Sequence, residues 1–502
     1  MNSLGKLTLI LSSTLIGIAA MECHATEGPK EWPIITRQDD MLYEGDTPFR
    51  FFGLAAPNIH QNESQVHPDF SNRFPDDYEI RDVLASLQFI GSRATRSFSL
   101  SISSPENEGL PTYVTGPGEY NEEAFQTLDR VLALCHEYDV RVIIPFIASQ
   151  SFKGWKGVDE FAALHGKERG AFWTDEAVKE QFRRYLNYIV NRRNTVSGIL
   201  YKDDPAILAW QFGNEFDSYA PDRGLRSSDW EGPITEWSKQ MAAYLKQIDP
   251  KHLIMEAGGN KEALIADPNI DVISIHLYEY WNRLGGQPTE LGPIAKKAVQ
   301  STKGRKPLMI DEFGLATLEN NAELMRTIRD EGIVGGLLWS IRGHRRDGGW
   351  YYHNEGGTPI NSYHIPGFAA GHSYGEQEVL DLLRREAFAI SGKPVPALSA
   401  PHPAPILIPL KDGFTWRGSA LASHYSVMRS SSENGPWTVV ATGLHDSVIA
   451  DVAPYEAKGE STPIILWSDQ SAQAGQTWFY KIRAHNAAGD SGDSPVVKVD
   501  AE

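Results

Sequence analysis

Two glutamates in the sequence stand directly after apolar runs. Glu215 follows ILAWQFGN at 207–214, and Glu312 follows PLMID at 307–311. A charge placed beside a buried strand is costly unless it is paired or functional. Hydrolysis of a glycosidic bond needs one carboxyl group that donates a proton and a second, ionised one that attacks or activates water. The two glutamates could supply this pair, although a lone glutamate after a strand is more often an ion-pair partner than a catalyst.

Polar neighbours favour the chemical interpretation. Asn214 precedes Glu215 and could hydrogen-bond a sugar 2-hydroxyl. His276 and Tyr278 flank one residue at the end of another apolar run, and alternate residues of a strand point the same way. We therefore expect Tyr278 to donate to Glu312 and His276 to orient Glu215. The alternative for His276 is a core histidine with satisfied hydrogen bonds.

An arginine and a tryptophan are further candidates. Arg96 lies near the end of the run at 93–98 and could fix the Glu312 carboxylate by a charge-assisted hydrogen bond, with Arg93 as its rival. Trp339 ends the run at 335–339 and could form the floor of the subsite that holds the reacting sugar. Packing in the core is the ordinary role of such a tryptophan.

The elements that must position these residues form a repeat. From about residue 31 to residue 391, short β-branched apolar runs alternate with amphipathic segments, which predicts βα units and a parallel sheet. The predicted strands are 49–55, 93–98, 140–147, 207–213, 252–256, 271–276, 307–311 and 335–339. The predicted helices are 76–87, 122–136, 175–192, 234–247, 322–331 and 376–390.

Eight βα units predict a (β/α)₈ TIM barrel, an α/β fold whose catalytic residues lie at the C-terminal ends of the strands. The competing fold is a doubly wound open sheet, which requires a glycine-rich phosphate-binding turn after the first strand. The sequence at that point is LAAPN, residues 54–58, and it is no such turn.

The ends of the chain differ from the repeat. Residues 1–25, with Lys6, an apolar stretch and small residues before Ala25, predict a secretory signal peptide, and the barrel then spans 26–391. Residues 392–405 are proline-rich and predict a stiff linker. Residues 406–502 alternate as short strands and predict a small all-β sandwich that resembles a fibronectin type III module.

Composition limits the partners. The 502 residues carry a formal net charge of -18, which disfavours nucleic acid and anionic membrane surfaces and fits a neutral substrate. Once Cys23 leaves with the signal peptide, Cys135 remains alone and no intramolecular disulfide can form. No metal-ligand spacing occurs, so we expect no metal site. We expect a secreted monomer, free of the membrane after signal cleavage.

Several motifs together resemble glycoside hydrolase family 5, and within it the β-mannanase branch. They are FWTD at 172–175, NRRNTVSG at 191–198, YKDDPAILAWQFGNE at 201–215, IDPKHL at 248–253, IHLY at 275–278, KPLMIDEFG at 306–314 and LW at 338–339. The resemblance implies a retaining hydrolase in which Glu215 is the acid/base and Glu312 the nucleophile. It implies supporting roles for Asn214, Arg96, His276, Tyr278 and Trp339, and it implies that no cofactor is needed, since two carboxyl groups suffice.

The sequence departs from that branch in two places. Phe216 and Asp217 follow Glu215, where mannanases usually have proline and arginine beside the substrate subsites. The segment after Trp339 is long, from 341 to 375, and Trp350 within it could line the cleft or wall off one end. Trp155, after the third predicted strand, is another candidate for stacking on sugar.

The sequence leaves three functions open. The first is cleavage of β-1,4-mannosidic bonds in mannan, glucomannan or manno-oligosaccharides. The second is action on another β-glycan such as β-glucan, or exo-acting β-mannosidase activity. The third is a catalytically inactive carbohydrate-binding barrel. For an enzyme we expect carboxyl carbons about 5 to 5.5 Å apart and a raised pKa for Glu215 beside its like-charged neighbour.

Overall fold

The computed structural model describes residues 32–62, 73–152, 154–220, 227–353, 363–366, 375–446, 464–473 and 475–500. The predicted signal peptide lies outside these residues. Ile34–Glu502 forms one compact unit, and Met1–Pro33 is assigned to another. Within the described ranges, no helix has both the length and the apolar character needed to span a lipid bilayer.

Eight parallel strands form the N-terminal part of this unit. They are β1 (Phe51–Leu54), β2 (Ala94–Arg96), β3 (Arg141–Ala148), β4 (Ile207–Asn214), β5 (Leu253–Met255), β6 (Ile273–Tyr278), β7 (Leu308–Gly314) and β8 (Gly335–Leu338).

The strands pair as two parallel four-stranded sheets, β5-β4-β3-β2 and β6-β7-β8-β1. The sheets are joined at both of their edges. Met255 bridges Val272 in parallel at the start of β6, and the amide of Ala56 donates to the carbonyl of Arg96 at the ends of β1 and β2. The strand order therefore closes on itself. The predicted TIM barrel is confirmed, and the open doubly wound sheet is excluded.

Every strand is followed by a helix that completes its βα unit, and shorter helices at Val158–Leu164, Ala171–Thr174 and Glu279–Leu284 precede that helix after β3 and β6. The helices that complete the units are α1 (Asp77–Ile90), α2 (Glu122–Tyr138), α3 (Glu176–Val190), α4 (Glu231–Ile248), α5 (Glu262–Ile265), α6 (Leu291–Thr302), α7 (Leu318–Asp330) and α8 (Glu376–Ile390). Helix α6 was not predicted from the sequence, because Gly292 and Pro293 resemble helix-breaking residues. Both lie in its first turn, where a proline leaves no intrahelical hydrogen bond unmade.

The interior of the barrel is apolar at the N-terminal ends of its strands. A hairpin of Ile35–Gln38 and Met41–Glu44, which the sequence did not predict, packs Ile35 and Leu42 into the same core cluster as Leu208 and Met309. Higher in the barrel the fully buried side chains become polar, as at Arg96, Gln211 and Asp311. Buried polar side chains require hydrogen-bond partners, so this layer must form a connected network.

Two strands run further than the sequence predicted. Strand β6 ends at Tyr278 and β7 at Gly314, because the parallel pairing continues through His276 beside Glu312, and Leu277 beside Phe313. The register shifts between Ser274 and His276. Glu312 therefore lies within a strand rather than after it, directly beside His276.

The C-terminal part is built from antiparallel strands. They are β9 (Ile406–Leu410), β10 (Gly413–Arg417), β11 (His424–Ser430), β12 (Thr438–Leu444), β13 (Thr477–Asn486), β14 (Gly489–Asp490) and β15 (Val497–Asp500). Strands β9 and β10 pair with each other, and the rest form one sheet centred on β11 and β13. Trp416, Tyr425 and Ile482 belong to its core. We call residues 406–500 the C-terminal module; its fibronectin type III-like identity and the predicted domain boundaries remain predictions.

Candidate active site

A cavity of about 920 Å³ opens at the C-terminal ends of the barrel strands. Its lining includes Asn214, Glu215, His276, Tyr278, Glu312 and Trp339. These candidates come from β4, β6, β7 and the end of β8, which are far apart in sequence. The barrel therefore brings these six predicted site residues to one cleft, and Trp155 lines it as well.

The two glutamates meet at one imidazole. Nδ1 of His276 lies 2.8 Å from Oε1 of Glu215 and 3.2 Å from Oε2 of Glu312. One oxygen of each carboxylate and a nitrogen of the imidazole all lie within 4.8 Å of one another. His276 is thus a bridge between the two carboxylates, which is a closer involvement than orienting Glu215 alone.

Glu215 has an unusual backbone. Its φ of 51° and ψ of 51° lie in the left-handed region, which a non-glycine residue rarely adopts. The hydroxyl of Ser149 donates to its carbonyl at 2.7 Å, and Nε2 of Gln150 donates to its Oε2 at 2.5 Å. Strain that neighbouring groups hold in place is typical of functional sites. Here it turns the carboxylate off the end of β4 into the cleft, where 30% of the side chain is exposed.

Glu312 is held more tightly and is almost fully buried. Nη1 of Arg96 donates to its Oε1 at 2.5 Å, and the hydroxyl of Tyr278 donates to its Oε2 at 2.5 Å. Arg96 also donates from Nη2 to Oδ1 of Asn214 at 2.9 Å. The rival arginine, Arg93, instead pairs with Glu44 of the N-terminal hairpin at 2.5 Å. Of the two arginines, only Arg96 contacts the carboxylate.

Burial sets the charge balance of the site. It raises the pKa of Glu312 to about 7, against the opposing effect of His276 and Arg96, and the like charge of Glu215 adds to the rise. The largest cause is desolvation, which acts strongly on a buried carboxyl. The raised pKa expected for Glu215 stays a prediction. Since the two carboxyls interact closely, their protons leave in steps that belong to the pair.

Burial lowers the pKa of His276, but the carboxylates of Glu312 and Asp311 outweigh it and raise the pKa well above its ordinary value. The pKa of Asp311 shifts in the opposite direction. Burial raises its pKa, and His276 and Arg96 outweigh that effect and lower it. The site therefore holds a buried imidazolium, a guanidinium and an ionised aspartate around the glutamate pair.

Sequence reasoning missed the polar residues beneath the glutamates. Oδ2 of Asp311 lies 3.3 Å from Nε of Arg96 and 3.5 Å from Nε2 of His276, and it accepts from Nε2 of Gln211 at 2.8 Å. Gln211 also accepts from Nε of Arg96 at 2.6 Å. The available signal was a polar residue inside an otherwise apolar run, at position 211 of β4 and 311 of β7.

The aromatic candidates separate into two groups. Trp339 and Trp155 both line the cleft, and Phe98 lies between them with ring centroids 6.1 and 5.7 Å away. Trp350 is not among the described residues that line the cleft. Its ring stacks on His344 at 3.5 Å, and its Nε1 donates to Asp446 of the C-terminal module. The structure therefore does not bring Trp350 to the sugar site, because its indole is committed to the module.

Glu215, His276 and Glu312 are also the group of described residues whose ligand atoms lie close enough to hold a metal ion. The donor set fits a cation poorly. Arg96 lies 2.5 Å from Glu312, and the neighbouring carboxylates favour protonated His276, which cannot act as a ligand. The arrangement instead supports acid/base chemistry at one carboxyl group and nucleophilic attack by the other.

Comparison with known proteins agrees with the geometry. The family model described as "GH family 5 beta-mannosidase-like" matches residues 103–331. The chain is 27% identical over 314 residues to mannan endo-1,4-beta-mannosidase 1 of Arabidopsis thaliana, covering 53% of this chain and 73% of that relative. It is 29% identical over 274 residues to mannan endo-1,4-beta-mannosidase 1 of Oryza sativa subsp. japonica, covering 45% and 62%.

Solved structures share the fold. An endo-1,4-beta-mannanase from Rhizomucor miehei superposes with a TM-score of 0.56 at 18% identity, over 72% of this chain and 100% of its own. An endo-beta-1,4-mannanase from Thermotoga petrophila gives 0.52 at 17% identity, over 90% and 98%. Sequence motifs, family model and relatives agree: residues 103–331 are similar to the β-mannosidase-like group of glycoside hydrolase family 5, and the chain is a glycoside hydrolase.

Proposed function

We propose that the protein is a retaining β-mannanase that cleaves β-1,4-mannosidic bonds in mannan, glucomannan or manno-oligosaccharides. The observation that carries the retaining mechanism is the contact of Glu215 and Glu312 with the same nitrogen of His276, with one oxygen of each inside a 4.8 Å group. Retaining enzymes hold their carboxyl groups about 5 to 5.5 Å apart, whereas inverting enzymes leave room for a water molecule between them.

In the first step, an oxygen of Glu312 attacks the anomeric carbon while Glu215 donates its proton to the leaving oxygen. The glycosidic bond breaks, and an ester bond forms between the sugar and Glu312. Arg96 and Tyr278 donate to the two oxygens of Glu312 and so hold the attacking carboxylate in one orientation. Glu215 suits the acid role because it is the more exposed carboxyl and can reach the leaving group.

In the second step, Glu215 takes a proton from water, and the water oxygen attacks the anomeric carbon. The ester bond to Glu312 breaks, and the sugar leaves with its original configuration. Two inversions at one carbon give net retention. His276 lies between the two glutamates throughout, so its positive charge can offset whichever carboxylate is ionised.

The substrate assignment rests on different support. Residues 103–331 match a β-mannosidase-like family model, and the curated relatives are named mannan endo-1,4-beta-mannosidases. Asp217, which stands where the branch usually has arginine, lines the cleft, and burial raises its pKa. This change bears on the subsites rather than on the glutamate pair. β-Glucan hydrolysis and exo-acting β-mannosidase activity therefore remain the alternatives.

The deciding experiment is hydrolysis of a panel by the purified mature protein. The panel contains linear β-1,4-mannan, glucomannan, β-glucan and manno-oligosaccharides, with products resolved by length. Cleavage of mannan but not of β-glucan supports the proposal, and early mixed product lengths indicate endo action. Cleavage of another β-glycan with mannan untouched would contradict the substrate and leave the mechanism standing.

The setting of the enzyme is also a proposal. The N-terminal sequence supports secretion, and the acidic composition supports a neutral polysaccharide partner. Cys135, the free cysteine of the described chain, is fully buried in α2. Burial raises its pKa above the ordinary range of a thiol, which suits a structural core residue. We propose a secreted monomer whose C-terminal module resembles fibronectin type III domains.

A further inference from the structure

The segment after β8 lies between the barrel and the C-terminal module. Residues 341–353 leave the cleft at Trp339 and return to it at His353, which lines the same cavity as the glutamate pair. His344 and Trp350 form an antiparallel bridge, so the two arms of this segment are tied together. Whatever holds His344 and Trp350 therefore also restrains the backbone that leads directly to His353.

Asp446 of the C-terminal module contacts both arms. Its Oδ1 accepts from Nε1 of Trp350 at 2.8 Å, and its Oδ2 lies 2.8 Å from Nε2 of His344. The hydroxyl of Tyr425, also in the module, donates to Oδ2 at 2.7 Å. The carboxylate is buried, with 4% of the residue exposed. Both oxygens of this buried carboxylate have hydrogen-bond partners, so removing one of those partners would leave a buried charge uncompensated and would destabilise the contact.

The barrel contacts the same segment from the other side. Nδ1 of His344 lies 2.7 Å from Oδ1 of Asp82 in α1, and its backbone amide donates to Oδ2 of Asp82 at 2.8 Å. Burial lowers the pKa of His344, but the two aspartates outweigh it and raise the pKa to about 9. The imidazolium thus joins one carboxylate of the barrel to one of the module.

The close approach extends beyond the charges. A Cβ added at Gly418 of the module would lie 2.1 Å from Nε2 of His344, so no larger residue fits without displacement. The hydroxyl of Tyr78 in α1 donates to the carbonyl of Gly418 at 3.0 Å, and Nε of Arg417 donates to the carbonyl of Arg346 at 2.6 Å. The module is packed against the barrel at this point and is not a loosely tethered neighbour.

We propose that Asp446 is a positioning residue for the sugar cleft: the C-terminal module completes the cleft by holding residues 341–353, and hence His353, against the barrel. The module then acts in catalysis through the shape of the cleft rather than as a separate carbohydrate-binding unit. The inference rests on the proposed function for its kinetic test only, since the contact itself does not depend on the substrate.

The test compares two aspartates of the module. Asp446→Asn keeps the shape and removes the charge that pairs with His344. Asp469→Asn is the matched control. The side chain of Asp469 is also buried and accepts hydrogen bonds from the hydroxyl of Tyr480 and from Arg429, but both of these partners belong to the module itself. We expect Asp446→Asn to raise KM for mannohexaose by about tenfold, while Asp469→Asn lowers Tm without changing KM.

A double-mutant cycle identifies the route of the effect. If Asp446 acts through the segment that ends at His353, Asp446→Asn and His353→Ala must be non-additive in kcat/KM. Multiplicative effects, or a KM that Asp446→Asn leaves unchanged, would overturn the proposal.

Hydrogen exchange of the full chain separates this proposal from the choice of substrate. Asp446→Asn should lose protection in the peptide 341–353, and Asp469→Asn should not. If mannan is not the substrate, this arm still decides the question, and the kinetic arm moves to whichever glycan is cleaved. Equal protection of 341–353 in the wild type and Asp446→Asn would refute the positioning role regardless of activity.

Discussion

Tyr278 offers a direct measurement of how the site tunes its nucleophile. Its hydroxyl donates to Oε2 of Glu312 at 2.5 Å and is one of the groups that lower the pKa of that carboxyl. Tyr278→Phe removes the donor and keeps the ring in the core cluster of the barrel. Because the hydrogen bond favours the charged form, its loss must raise the pKa of Glu312 further.

The size of the change follows from the hydrogen bond. A hydrogen bond to a charged group contributes about 1.5–3 kcal/mol, and one pKa unit corresponds to about 1.36 kcal/mol. The pKa of Glu312, about 7 in the wild type, should therefore rise by about one to two units. Glu312 must be ionised to attack, so activity is present above this pKa and is lost as pH falls through it. The acid limb of the profile moves to higher pH.

The assay uses a substrate whose leaving group needs no proton from a general acid. A dinitrophenyl β-mannobioside carries a leaving group that departs unprotonated, so kcat/KM against pH reports the ionisation of the nucleophile. Tyr280→Phe is the control, because Tyr280 packs against the same core cluster and is not among the groups that shift Glu312. An acid limb that stays in place in Tyr278→Phe, or moves to lower pH, would refute the reasoning.

Three further substitutions test the rest of the site and the fold. Glu312→Gln should abolish nearly all turnover while Tm and circular dichroism stay close to those of the wild type; residual turnover above about 1% would argue against its nucleophilic role. Arg96→Lys should lower kcat/KM about 100-fold, because an ammonium cannot replace the separate guanidinium donors that reach Glu312, Asn214 and Gln211; an activity within threefold of wild type would contradict it. Asp129→Asn, which breaks a buried pair with Arg192, should lower the free energy of unfolding in urea by about 3–5 kcal/mol and leave kcat of the folded fraction unchanged.

The barrel could be predicted because each of its strands carries a local signal. Strands β3 and β4 are buried along their whole length, so each reads as a continuous apolar run. The closure of the sheet follows from the number of such runs. Helix α6 and the N-terminal hairpin were missed because Gly292 and Pro293 resemble breakers, and because the hairpin strands are four residues long.

The glutamate pair could be predicted for a similar reason. Glu215 and Glu312 follow strong apolar runs, Asn214 directly precedes Glu215, and His276 and Tyr278 end a third apolar run. The supporting layer could not be predicted, because Gln211 and Asp311 meet Arg96 only when β2, β4 and β7 close into a barrel. The raised pKa of Glu312 could not be predicted for the same reason. The desolvation of Glu312 depends on how deeply the folded chain buries it, and the sequence alone does not show that burial.

Trp350 shows where local signals mislead. A tryptophan in a long loop after β8 is a natural candidate for stacking on sugar, and nothing within residues 341–375 argues otherwise. Its partner is Asp446, 96 residues further along the chain, and that contact exists only because the module packs against α1. The N–H of a buried tryptophan usually finds a hydrogen-bond partner within the protein, so the role of a loop tryptophan can be assigned only once that partner is known. Here the competing partner is the C-terminal module, and the tryptophan joins that module to the cleft wall.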